Sequence, residues 1–299
     1  MSWQMKVVSL LMRATRKRGF ATEERGHALL AAPKNPSAPP GSLSKTLTVT
    51  TSQVRGFDIH RVRRSELAEN APVVVYLHGG AYVNEIVSQH WSLIRQVAES
   101  IQAEVWVPIY GLAPQHTGLE ALAFVSAVLD ELAAQGRAVE VVGDSAGGGL
   151  ALIAAQDRID RDPGTVRGVT VMAPWLDLSI SNPEVDALEP HDPWLARPAL
   201  RTVAASWADV LDLRDPRVSP LFGRFAGLPP VDIWVGDRDI TLPDSRLLRA
   251  SLDAAGVEVF FREEPGAIHV YPLLPVPEGK AARGQMIERI AARLSPHQS

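Results

Sequence analysis

The chain has 299 residues, 46% hydrophobic and 21% charged, with 22 glycines and 23 prolines; this globular composition excludes a disordered, collagen-like or coiled-coil chain. Thirty Lys and Arg against 34 Asp and Glu leave a formal charge of −4, so there is no global electrostatic footprint for nucleic acid. Cysteine is absent, which removes disulfides, thiolate metal sites and a cysteine nucleophile, and no histidine pair has the His-Glu-x-x-His spacing of a zinc site.

The chain opens MSWQMKVVSLLMRATRKRGF. Its apolar stretch, Val7–Met12, is shorter than the ~7–15 residues of a signal core. The basic cluster Arg13, Arg16, Lys17 and Arg18 follows that stretch instead of preceding it. Trp3, Val7, Leu10, Leu11 and Ala14 lie at helical spacing and predict an amphipathic helix. Its apolar face is expected to pack on its own domain, near Trp194 and Trp207, with attachment to a membrane surface as the alternative. No apolar run reaches the ~18 residues of a bilayer span, so membrane insertion is not expected and a cytoplasmic location is.

Beyond a Pro-rich linker (Pro33, Pro36, Pro39, Pro40), Leu47–Thr51 and Phe57–Arg63 alternate apolar and polar residues around Gly56, the pattern of a half-buried hairpin. Solidly apolar runs then follow at Val73–Leu77, Val105–Ile109, Val139–Val142, Val169–Ala173, Val231–Val235 and Val257–Phe261. Helical segments alternate with them, at about Gln89–Ser100, Leu119–Ala134, Ala146–Arg158, Pro243–Ala255 and Gly279–Leu294. That alternation predicts an α/β fold with a mostly parallel sheet covered on both faces. Residues 179–218 break it with Trp194, Trp207, several prolines and helical patches near Leu200–Leu211. An insertion rich in large apolar residues suggests a cap over the carboxyl edge of the sheet, where ligands bind in open α/β sheets.

The chemistry is expected at strand ends. Val139–Val142 runs into Gly143-Asp-Ser145-Ala-Gly147 and then into an apolar helix. A Gly-x-Ser-x-Gly in this context is a tight strand-to-helix turn that exposes the Ser145 hydroxyl above the sheet at a helix N-terminus. A packing turn with no chemistry is the plainer alternative. A serine nucleophile needs a base and an acid, which in this type of fold follow it in the order Ser, Asp or Glu, His. Of the downstream histidines, His191 has no strand between it and Ser145 to supply the acid, and His297 is three residues from the end. His269 follows the last predicted strand. The preceding strand ends in Gly236-Asp237-Arg238-Asp239, so Asp239 is the favoured acid and Asp237 its rival. Each residue alone reads as structural, Asp239 as a helix cap and His269 as a buried histidine; in order at strand ends they read as a triad. Val73–Leu77 ends in His78-Gly79-Gly80-Ala81, where a glycine loop lends backbone N–H groups to an oxyanion. Gly79, Gly80 and Ala146 are the expected donors, Ala81 a further one, and His78 is expected to hold the loop. Ala81, Tyr82, Trp194, Leu195 and Trp207 are candidate pocket walls, with core packing as the alternative for each.

Taken together, His78-Gly-Gly-Ala81-Tyr82, Tyr110-Gly-Leu-Ala-Pro114, Gly143-Asp-Ser-Ala-Gly-Gly148, Ala173-Pro-Trp-Leu-Asp177, Asp215-Pro-Arg-Val-Ser-Pro220, Gly236-x-x-Asp239 and His269 resemble the hormone-sensitive-lipase-like esterases, the bacterial family IV. The resemblance runs from about residue 72 to the end. It implies an α/β-hydrolase core (46–178 and 219–299) under a cap made of residues 1–45 and of the insertion 179–218, after the sixth strand. It also implies cofactor-free hydrolysis of small carboxylic esters. Gly111, Gln115 and Ala81 stand where the family usually has Arg, Glu and Gly, departures that touch the pocket and not the triad. A lactone or amide hydrolase, or a non-catalytic receptor on the same scaffold, would share these motifs. A homodimer through the exposed edge of Val257–Phe261 is expected, as related esterases often pair there.

Overall fold

In the computed structural model, which describes residues 1–295, the first five solidly apolar runs are strands with no exposed face, whereas the sixth, Val257–Phe261, is only partly covered. Strands β3 (Val73–Leu77), β4 (Glu104–Pro108), β5 (Val139–Asp144) and β7 (Val231–Gly236) are buried throughout, and β6 (Val166–Met172) is buried except at Arg167. The hairpin β1 (Thr48–Val54) and β2 (Phe57–Arg63) keeps a solvated side. Its two-residue turn, Arg55-Gly56, has both residues at positive φ, the twist that matches flanking strands. The eight-stranded sheet runs β1-β2-β4-β3-β5-β6-β7-β8, with β8 at Val259–Glu264. Only β2 runs against its neighbours; from β4 to β8 every pairing is parallel.

The helices cover both faces. Helices α4 (Gly118–Ala134), α5 (Ala146–Arg158) and α8 (Leu242–Ala254) bury one core with the sheet, while α3 (Ser88–Ser100) and α9 (Pro277–Leu294) bury the other. The chain leaves β3 toward β4 on one side and crosses to β5 on the other. Strand order therefore reverses between β3 and β5, which opens a crevice beyond their carboxyl ends. The His78 loop ends β3 and Ser145 ends β5, so the two motifs meet at this switch point.

Three expectations change. The last strand begins at Val259 and continues through Arg262, Glu263 and Glu264, so Val257 packs in the core outside it. Before the Pro-rich linker lies a helix the apolar pattern missed, α2 (Glu23–Ala31), capped by Thr22, whose hydroxyl accepts the Arg25 N–H. It packs against α7 (Arg197–Ala208), the main helix of the insertion, with Gly26 so close that a Cβ there would meet Thr202 Cβ at 2.5 Å. The short α6 (Val185–Leu188) precedes α7.

The third change concerns α1 (Trp3–Thr15). The helix forms as expected, but Trp3, Val7, Leu10 and Leu11 face outward, while Met5 and Ser9 are its buried residues. The reason is anchoring along the opposite side. Met5 inserts into the core beside α9, the Ser2 hydroxyl donates to Glu278 at 2.8 Å, and Arg238 donates to the Ser9 hydroxyl at 2.9 Å. The predicted contact with Trp194 and Trp207 is not made by that face.

Candidate active site

Ser145 is held in a conformation its local sequence was built to allow. Its backbone has φ 51° and ψ −119°, a strained region for a residue with a side chain. Three backbone bonds hold it there: its N–H donates to Met172 O (2.8 Å), and its carbonyl accepts from Trp175 N (2.9 Å) and Gly149 N (3.1 Å). The flanking glycines are steric necessities. A Cβ on Gly143 would strike the Gly147 carbonyl, and one on Gly147 would strike the carbonyls of Leu77 and His78. The hydroxyl thus stands at the N-terminus of α5, in its positive field.

The loop after β8 brings His269 to it. Asp237 shapes that loop by accepting the Gly266 N–H at 2.7 Å, and it does not reach the imidazole. Asp239 does. His269 Nδ1 lies 2.8 Å from Asp239 Oδ2, and His269 Nε2 lies 2.9 Å from Ser145 Oγ. With Nδ1–H donating to the carboxylate, Nε2 is left to accept the serine proton. Thr241 N–H fixes the other oxygen of Asp239 at 2.9 Å. Burial alone would lower the His269 pKa, but the charge and hydrogen bond of Asp239, with Asp192 and Asp144 behind it, outweigh burial and raise it. His191 sits after α6 with its N–H on Leu188 O, apart from this site; His297 lies outside the described residues.

In the loop after β3 the free N–H groups differ from those expected. Gly79 N–H donates to Asp144 Oδ1 at 3.0 Å, so it is not free for a substrate. The N–H groups of Gly80, Ala81 and Ala146 have no protein acceptor among the described residues. Asp144 also accepts from Tyr76 OH (2.7 Å) and His90 Nε2 (3.3 Å). Burial would raise its pKa, but these donors hold it below the usual carboxylate value. His78 stacks on Tyr110 at 4.6 Å and its Nδ1 meets Gly79 O at 2.8 Å. Burial, with His90 nearby, pushes its pKa down to about 4, so it braces the loop as a neutral ring.

A cavity of about 460 Å³ opens over Ser145 and His269. Ala81, Trp194 and Leu195 line it as expected, joined by Met12 and Phe20 from the N-terminal segment. Trp194 meets the His269 ring edge-on at 5.6 Å. Tyr82 and Trp207 do not line it. They are buried and stack face to face at 4.2 Å, and Tyr82 OH donates to Ala146 O at 2.8 Å, so they support the first turn of α5 from behind. Gly111 has a local reason too: a Cβ there would run into the His116 ring, which packs on Phe57.

Sequence reasoning missed Asp192. It is fully buried in the insertion, and its carboxylate accepts Trp194 N–H (2.7 Å), Leu195 N–H (2.8 Å) and Ile240 N–H (3.0 Å). Burial and the nearby charge of Asp239 push its pKa up to about 6. The signal was there in the sequence, an Asp followed two and three residues on by apolar pocket residues, as in an Asx turn.

The profile of the α/β-hydrolase fold family matches residues 74–273. An esterase of Acinetobacter venetianus is 32% identical over 248 residues, which cover 80% of this chain and 82% of that protein. Carboxylesterase NlhH of Mycobacterium tuberculosis is 32% identical over 73% of this chain and 72% of its own. The crystal structure of EstE5 superposes with a TM-score of 0.85 at 25% identity, covering 99% of this chain and 100% of the other.

Proposed function

The chain belongs to the α/β-hydrolase family and is an esterase, and on that premise we propose that it cleaves small to medium acyl esters through a covalent acyl-enzyme on Ser145. The observation that carries this reading is the unbroken relay from Ser145 Oγ through His269 to Asp239, at 2.9 and 2.8 Å. As Ser145 Oγ bonds to the ester carbonyl carbon, its proton passes to His269 Nε2. Asp239 keeps the imidazole in the required tautomer and stabilises the imidazolium. The carbonyl oxygen, now negative, enters the pocket of N–H groups from Gly80, Ala81 and Ala146; each such donor is worth about 3–4 kcal/mol in acyl transfer. His269 returns the proton to the departing alkoxide. Water, deprotonated by the same nitrogen, then attacks the acyl-serine, and the acid leaves as the Ser145 hydroxyl is restored.

In this reading residues 1–45 and 179–218 form a cap over the core. Support comes from Met12 and Phe20 on one segment and Trp194 and Leu195 on the other, which line the same cavity. The test is a panel of p-nitrophenyl esters of rising chain length, run beside lactones and anilides, with mass analysis after an organophosphate. Short-chain ester turnover with one adduct on Ser145 is expected. Turnover confined to lactones or anilides would overturn the ester assignment, and labelling without turnover would reduce the protein to a ligand-binding one.

A further inference from the structure

Helix α1 carries an apolar stripe that the protein itself leaves uncovered. Trp3 is 70% exposed and Leu10 68%, with Val7, Leu11 and Met1 exposed beside them. Most of the large exposed apolar side chains among the described residues are gathered here, whereas soluble proteins usually scatter them singly. The opposite side of the helix is pinned by Met5, Ser9 and Ser2, as described above. The stripe is therefore presented on a preformed element, and docking it costs little ordering entropy.

Charge indicates what it meets. Residues 1–22 contain Lys6, Arg13, Arg16, Lys17 and Arg18 and no acidic residue, in a chain whose formal charge is −4. Lys6 is exposed beside the stripe, and Arg16 and Arg18 are exposed where the helix ends. An outward stripe with Trp and Leu, edged by cations, is the pattern of a helix lying in an anionic lipid interface. A second copy of the same face would bring like cations together while excluding water, which is unfavourable. The helix has 13 residues, about 20 Å, too short to cross a hydrocarbon layer of about 30 Å.

Position indicates the purpose. Met12, Thr15 and Arg16, in the last turn of α1 and just after it, line the cavity that contains Ser145. We propose that the outer face of α1 docks on anionic lipid surfaces and brings the cavity mouth to lipid-borne esters. The docking half is independent of the proposed chemistry; the delivery half rests on ester hydrolysis at Ser145.

The experiment is co-sedimentation of the full chain with vesicles of phosphatidylcholine alone and of phosphatidylcholine with 30% phosphatidylglycerol. The wild type should bind the anionic vesicles at least about tenfold better, and binding should weaken as salt screens the cations. Trp3→Gln with Leu10→Gln should remove at least about tenfold of that binding, and Lys6→Glu with Arg18→Glu should do the same. Hydrolysis of soluble p-nitrophenyl butyrate should be unchanged in both variants, which shows that they are folded. If the wild type stays in the supernatant with both vesicle types, or if the variants bind as well as it does, the proposal is wrong. It is equally overturned if the Trp3→Gln, Leu10→Gln pair dissociates a dimer in sedimentation velocity without any vesicle binding in the parent. Vesicle binding by a wild type that hydrolyses no ester would leave docking standing and refute only the chemistry.

Discussion

Asp192 accepts the backbone N–H of Ile240, the residue after Asp239, at 3.0 Å. Through this bond the insertion grips the loop that carries Asp239, while the same carboxylate ties down Trp194 and Leu195 at the cavity wall. Asp192 is thus a positioning residue, and it is also a negative charge that helps to raise the His269 pKa.

Replacing it separates those roles. Asp192→Asn keeps a carbonyl for the Trp194 and Leu195 N–H groups, gives up the acceptor for the Ile240 N–H, and removes the charge. Protonated His269 cannot accept the serine proton, so activity rises with pH as the ring deprotonates. The pKa of His269 is raised in the wild type, which places the acid limb above the ordinary histidine range of about 6.5. Without the Asp192 carboxylate, the limb of kcat/KM should move to lower pH. An unmoved limb with only a lower Tm would assign Asp192 a structural role alone.

Removing the proposed nucleophile should be severe and cheap in stability. Ser145→Ala is expected to lower kcat by about 10⁴–10⁶-fold while leaving the urea midpoint nearly unchanged. Asp239→Asn should cost about 10²–10⁴-fold through the wrong tautomer, and Asp237→Asn less than about tenfold, because Asp237 serves the Gly266 turn. The reverse ranking of the two aspartates would assign the acid to Asp237.

The elbow tolerates no side chain at Gly147, where a Cβ would strike the carbonyls of Leu77 and His78. Gly147→Ala should push the His78–Ala81 loop away from α5 and displace its N–H donors. A loss of about 10²–10³-fold in kcat is expected, the scale of one oxyanion donor. The KM for a small ester should change much less. Wild-type turnover from this variant would show that the loop position is not critical.

Far from the chemistry, Asp232 at the start of β7 is buried and forks to Arg289 at 2.7 and 2.9 Å, with Arg293 at 2.9 Å. Asp232→Ala would leave two guanidinium groups without that partner in a partly buried setting. Destabilisation of about 3–5 kcal/mol is expected by urea unfolding, with kcat preserved below the transition. A loss under about 1 kcal/mol would mean that Glu140, which also pairs with Arg293 at 2.6 Å, holds the network by itself.

The sheet ends at β8, an open edge of the kind that pairs. A homodimer through β8 should appear as a species of twice 32.4 kDa in sedimentation velocity at micromolar concentration. A single 32.4 kDa boundary would refute it.

What the amino-acid sequence determined by itself is what depends on local order. The solid apolar runs other than Val257–Phe261 became strands covered on both faces, so the parallel sheet and its helices were legible. The elbow was legible because Gly143, Ser145 and Gly147 act within one strand-to-helix turn. The approach of His269 to Asp239 and Ser145 was legible because each residue ends its own segment in the order that the proposed relay requires. Only the tertiary structure decided the rest, because those features depend on partners distant in sequence. The Gly79 N–H is not free for a substrate because Asp144, 65 residues away, accepts it. Tyr82 and Trp207 were indistinguishable from pocket wall until their stacking turned them into support. Helical periodicity showed that α1 has an apolar stripe, but Met5, Ser9 and Ser2, held by residues more than 200 positions away, decided that the stripe faces solvent.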